Sequence, residues 1–132
     1  MTVHAGRVHP SLHDTRQRLT AEQRSSAARF TSIHLEHRSR REKPTVRPQE
    51  TVTVRLGVVP GPPIEMHGYL FCEDTGCLWS ETAAHVESAS ANEVLCSFVL
   101  PEDLPSEGVC VLIEGRWPNG LAGCEMTFSV HD

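Results

Sequence analysis

Five cysteines and eight histidines are the residues of this sequence with the most chemistry to offer. A structural zinc site needs four Cys or His ligands, ordinarily as two close pairs such as C-x-x-C that each grip the ion from one turn. The cysteines stand at positions 72, 77, 96, 110 and 124, with no such pair, so neither a metal nor a cofactor is expected. Cys72 and Cys77 enclose the turn Glu73-Asp74-Thr75-Gly76 and can face each other across a hairpin, which makes them the candidate pair for reversible oxidation. Two thiols at the core edge that stay reduced are the alternative. Leu95-Cys96-Ser97-Phe98 and Val109-Cys110-Val111 are apolar runs in which free cysteine acts as a small hydrophobe. An odd number of cysteines excludes complete intramolecular pairing and fits reduced thiols in a cytosolic setting.

The histidines form no chelating pair by spacing. His34 and His37 point to opposite faces of a strand, and Pro10 breaks the helix that His9 and His13 would have to share. There is no G-x-S-x-G elbow, no Gly-rich phosphate loop and no H-E-x-x-H helix. The paired acids Glu73-Asp74 and Glu102-Asp103 fall in turns, where carboxylates serve capping and solubility. A cysteine nucleophile would need an activating histidine, with His67 or His85 near Cys77 the available combinations. No catalytic residue is assigned, and the chain is read as non-enzymatic.

Charge is divided sharply along the chain. Residues 1–50 carry ten Lys and Arg against five Asp and Glu, and residues 51–132 carry two against twelve, so +5 and −10 make up the net −5. A basic arm attached to an acidic body reaches toward an acidic surface: another protein, a nucleic acid, or the body of a neighbouring copy. The run Arg38-Ser39-Arg40-Arg41 lacks interleaved aromatics, so any nucleic-acid contact through it would be independent of base sequence. The residues expected to bind the partner are Leu12, Arg16, Arg18, Leu19, Arg24, Arg38, Arg40 and Arg41.

The elements that position these groups follow from periodicity. Ser11 caps a helix over about 11–30 whose stripe of Leu12, Leu19 and Ala27 is thin, so the helix needs a partner surface to persist. Ile33 and Leu35 alternate with His34 and Glu36 in a short strand over about 31–37. Residues 1–48 are thus read as a basic arm and linker, and 49–132 as the folded domain. In that domain Val52, Val54, Leu56 and Val58 define a half-buried strand that Pro60-Gly61-Pro62-Pro63 ends. Further strands are expected over Ile64 to Phe71, from Cys77, and over Val94 to Leu100, Val109 to Glu114 and Cys124 to Val130, while 82–92 reads equally as loop, helix or edge strand. Val54, Leu56, Phe98, Val111, Ile113 and Phe128 take the core parity. No apolar stretch approaches the ~20 residues of a membrane span, and residues 1–11 lack the apolar segment of a secretory signal.

Leu104-Pro105-Ser106-Glu107-Gly108-Val109-Cys110-Val111-Leu112, followed by the Pro118-Asn119-Gly120 hairpin, resembles the corner into the penultimate strand of immunoglobulin-like and fibronectin-type modules. The resemblance spans about Gln49 to Val130 and implies a mainly β chain: an antiparallel sandwich behind a partly helical extension. It places Cys110 at the family's corner tyrosine and Leu112 at its second disulfide cysteine, which excludes a disulfide-bonded antibody-type domain. Such modules mostly bind or assemble. The expectation is therefore a binding or structural subunit, cytoplasmic or in a virion, anchored through its arm in a larger assembly or homo-oligomer. The alternative is a redox-responsive regulatory domain using Cys72 and Cys77.

Overall fold

The computed structural model describes residues 11–24, 26–36 and 44–131, with the backbone alone at Ala83. Among them run α1 (Leu12–Gln23), β1 (Arg29–Leu35), β2 (Thr45–Val46), β3 (Thr51–Val59), β4 (Glu65–Cys72), β5 (Leu78–Ala83), β6 (His85–Ser90), β7 (Glu93–Val99), β8 (Val109–Trp117) and β9 (Gly120–Val130). Ser11 caps α1 by accepting the Asp14 N–H at 3.1 Å, and the Thr15 hydroxyl donates to the Ser11 carbonyl at 2.9 Å. The helix ends at Gln23 rather than near 30. There the Ser26 N–H donates back to the Gln23 carbonyl, and the Ser26 hydroxyl accepts from the Ala28 N–H, which turns the chain into β1.

The chain is mainly β, in two sheets of order β1-β3-β7-β6 and β2-β9-β8-β4-β5. Every pairing is antiparallel except the two-residue match of β2 with the end of β9. The inward residues of both sheets share one core, in which Val54, Leu56, Val58, Val111, Ile113 and Phe128 are all buried. The six residues expected in the core are buried, Phe98 included.

The segment expected as arm and linker supplies an edge strand to each sheet. In β1, Ile33 and Leu35 stand opposite Leu56 and Val54, and Arg55 of β3 bonds Glu36 at 3.0 Å and Glu93 at 3.3 Å, tying β1, β3 and β7 together on the outer face. Val46 of β2 is completely buried and its carbonyl accepts the His131 N–H. The division at residue 48 therefore does not separate the sheets from what precedes them. Arg38, Arg40 and Arg41 lie outside the described residues.

Two further readings change. Residues 78–90 form two edge strands with only Ala84 between them, where the chain passes from one sheet to the other. Most of β6 is exposed, so no buried face imposes an apolar alternation on its sequence. Leu112 does not face the core: Val109, Val111 and Ile113 do, while Cys110 and Leu112 point to the opposite side of the sheet. β8 is buried on both faces, and Val111 and Ile113 take the inward parity expected of them.

Ile113→Ala is expected to lower stability by about 2–5 kcal/mol through the cavity it leaves, measured by denaturant unfolding; an unchanged midpoint would contradict the core assignment. Deleting residues 1–48 removes β1, β2, Leu35 and Val46. The shortened chain should lose its cooperative thermal transition, whereas a melt within a few degrees of the full chain would mean that the two edge strands are dispensable.

Candidate helix-docking surface

On the outer side of the five-stranded sheet, the alternation of β4 and β8 brings Tyr69, Phe71, Cys110, Leu112 and Glu114 to one face, with Gly123 and Glu125 of β9 beside them. Phe71, Cys110 and Leu112 are nonetheless buried, because α1 lies over them. Leu12 and Leu19, seven residues apart and so two turns along one helix face, are the helix's apolar contacts in this second cluster. Tyr69 and Leu78 pack at its margin.

The seat is fitted to the helix. A side chain at position 123 would crowd Leu19, its Cβ falling 2.8 Å from Leu19 Cδ1, so glycine leaves room for that leucine on the sheet. At one end the Leu12 N–H donates to the Gly76 carbonyl at 2.8 Å, and at the other the Gln23 side chain accepts from the Gly123 N–H at 3.4 Å. Arg16 grips Glu125 with two nitrogens, its Nε lying 2.7 Å from Oε2. Arg18 reaches Glu114 at 2.8 Å and Glu22 of its own helix at 3.3 Å. Hydrogen bonding to Glu125 and to Glu114, respectively, raises the pKa of each guanidinium above its ordinary value.

Magnitudes separate what holds the helix from what aims it. Arg16 and Arg18 are 49% and 42% exposed, and ion pairs in such settings contribute about 0.2–1 kcal/mol each. Burying a leucine contributes about 1.5–3 kcal/mol, so Leu12 and Leu19 hold α1 down while the arginines fix its position on the face. A twelve-residue helix is marginal without such contacts.

The expected binding residues thus have occupants within the chain itself. Leu12 and Leu19 cover the sheet, Arg16 and Arg18 meet its acids, and Arg24 is exposed just past the helix end. The receiving residues Glu114, Glu125 and Gly123 were not singled out by sequence, although a lone glycine inside a strand marks a close approach by another part of the chain.

The thiols occupy contrasting settings. Cys72 is buried and Cys77 exposed at the foot of the expected hairpin, the Cys72 N–H donating to the Cys77 carbonyl at 2.9 Å. Under α1, Cys110 donates to Glu125 at 3.6 Å, and burial followed by the Glu125 charge pushes its pKa up to about 11. Burial alone pushes Cys96 up to about 12, and Cys124 is raised by burial and then by Cys96. His67 packs on the Tyr69 ring with centroids 4.6 Å apart, and His13 is exposed. Among the described residues no three His, Cys, Asp or Glu are grouped to hold a metal ion, and no helix is long and apolar enough to cross a membrane. At one end of the molecule the Pro60 to Pro63 loop meets the Trp117 to Gly120 hairpin, where the Trp117 indole N–H donates to the Gly61 carbonyl at 2.7 Å and Ile64 is exposed.

No protein-family model matches the chain, and no curated protein does. Solved structures similar to it include an engineered protein, with a TM-score of 0.51 and 11% identity over 76% of this chain and 20% of that one. A DUF4785 family protein from Legionella pneumophila subsp. pneumophila is similar with a TM-score of 0.50 and 7% identity over 74% of this chain and 27% of that one. The titin M3 domain aligns over 76% of this chain and 97% of its own, with 11% identity and a TM-score of 0.39. The chain spans about a fifth of the first and about a quarter of the second, and at such identities the likeness is one of fold alone.

Proposed function

We propose that this chain is a non-enzymatic binding or structural module, an immunoglobulin-like sandwich anchored in a larger assembly, in the cytoplasm or a virion, through its N-terminal segment. The strand order supports the architecture: β1-β3-β7-β6 corresponds to the ABED sheet of that fold and β9-β8-β4 to its GFC sheet, with the shared core between them. One observation carries the functional reading. An acidic sheet face is covered by a helix through two leucines and two arginines, which is the chemistry of a helix-in-groove contact between proteins. With Arg16 and Arg18 engaged on that face, exposed Arg24 and the basic run Arg38-Ser39-Arg40-Arg41 are the expected binding residues left to meet a partner.

The immobilised full chain is expected to retain one protein at fixed stoichiometry from an extract of its source, and R38E/R40E/R41E to lose it with an unchanged melting temperature. Retention of random-sequence duplex DNA instead, weakening steeply with salt, would reassign the basic run to nucleic acid. Retention of neither would overturn the reading.

The hairpin placement of Cys72 and Cys77 favours one second reading, a redox-responsive regulatory domain. Thiol titration of the native chain near neutral pH should label exposed Cys77 rapidly and spare Cys96, Cys110 and Cys124, whose raised pKa values suppress the thiolate. The same shifts set a sign for stability. Above about pH 9 unfolded thiols ionise while the buried ones stay protonated, so stability is fully present at neutral pH and falls as pH rises toward 11. Rapid native labelling of all five cysteines would contradict the buried settings.

A further inference from the structure

We propose, on the redox reading of the pair, that Cys77 reacts with small organic disulfides, that Cys72 resolves the mixed disulfide so formed, and that the closed Cys72–Cys77 bond fixes the hairpin turn against which the start of α1 rests. The oxidant is thus a molecule of the type R–S–S–R, and the element that responds is the helix on the outer face of the five-stranded sheet.

The backbone sets the two cysteines on one rung. Phe71 of β4 stands opposite Leu78 of β5, and Cys72 and Cys77 take the next rung outward, where the Cys72 N–H donates to the Cys77 carbonyl at 2.9 Å and the Gly76 N–H to the Cys72 carbonyl at 2.8 Å. Residues opposite each other in an antiparallel pair share a face and have Cα atoms about 4.5–5.5 Å apart, inside the span of about 4.4–6.8 Å that a disulfide bridges. Gly76, at φ +73°, lets the chain reverse over Glu73-Asp74-Thr75-Gly76 and so brings that rung together.

Exposure fixes the order of the steps. Cys77 is exposed and Cys72 is only 5% exposed, so a disulfide in solution meets Cys77 first. The Cys77 thiolate attacks one sulfur of R–S–S–R: a Cys77–S–R bond forms, the S–S bond of the reagent breaks, and RS⁻ departs. The Cys72 thiolate then attacks Cys77 Sγ, the Cys72–Cys77 bond forms, and the second RS⁻ leaves. The chain gives up two hydrogens and two electrons, and the reagent becomes two molecules of R–S–H. Cys96 and Cys110 are buried, which keeps them from the reagent.

Both cysteines adjoin residues that lie under the helix. Phe71, completely buried in the cluster beneath α1, precedes Cys72, and Leu78, at the margin of that cluster, follows Cys77. Between them the Gly76 carbonyl accepts the Leu12 N–H at 2.8 Å, and a Cβ at Gly76 would meet the Leu12 Cβ at 3.8 Å. A covalent link across the base of the turn removes the freedom of β4 and β5 to part there. The Gly76 carbonyl then keeps its place beside the helix, and the Leu12 amide opens to water less often.

Mass spectrometry of the native wild-type chain treated with cystamine tests the chemistry. The expected product has lost two hydrogens, carries no adduct and yields a Cys72–Cys77 link on peptide mapping, while C72A retains one adduct on Cys77 and C77A gains none at the turn. A persistent adduct on Cys77 of the wild type, or a wild-type turn left unmodified, overturns the proposal. Hydrogen–deuterium exchange read at the Leu12 amide tests the coupling: exchange is expected to be slower in the oxidised wild type than in the reduced, with no difference in C77A treated alike. A link that forms while Leu12 exchange stays the same overturns the proposal and leaves the redox reading standing, whereas absence of the link removes both, so the two fail distinguishably. The wild-type measurements need no substitution and decide the matter even where a variant fails to fold.

Discussion

Strand β8 carries an apolar run from Val109 to Ile113 that must be kept from water on both of its faces, and much of the molecule is arranged to meet that requirement. Along a strand, neighbouring side chains point to opposite sides, so five consecutive apolar residues cannot be covered by one opposing sheet. The four-stranded sheet covers Val109, Val111 and Ile113, and α1 covers Cys110 and Leu112. The helix is thus a third layer over part of the structure, and the apolar run of β8 is the reason that a polar, weakly amphipathic segment is ordered on the sheet.

This requirement also sets how firmly the helix is held. Two leucines supply most of the attraction and exposed ion pairs supply position. The contrast with β1 is instructive. That strand is fixed by a ladder to β3, by Leu35 in the core and by Arg55 between Glu36 and Glu93.

Much of this was legible in the sequence, and the exceptions have physical causes. Val52 to Val58 announces β3 because one face is wet and one dry, and Ser11 announces the helix start because capping is local chemistry. Val111 and Ile113 take the core parity expected of them although β8 is dry on both faces, while β6 was obscure because its side chains are mostly wet. The short strand over about 31–37 was legible, but it read as part of an arm because an edge strand does not show which sheet it joins until its partner is known. The basic N-terminal stretch and the acidic body were both visible as charge blocks. Their pairing was not, because Glu114 and Glu125 come to lie beside Arg18 and Arg16 only through the β8 to β9 hairpin, about a hundred residues away in sequence.

The charge division along the chain consequently does work inside the molecule before it can do any outside. Of the two cations in the acidic half, Arg55 clamps three strands of one sheet and Arg116 meets Glu65 on the other, while Arg16 and Arg18 of the basic half are directed onto Glu125 and Glu114. A partner approaching the outer face of the five-stranded sheet meets a helix with its arginines already committed, so it reaches those acids only by displacing α1 from the leucines and ion pairs that hold it there.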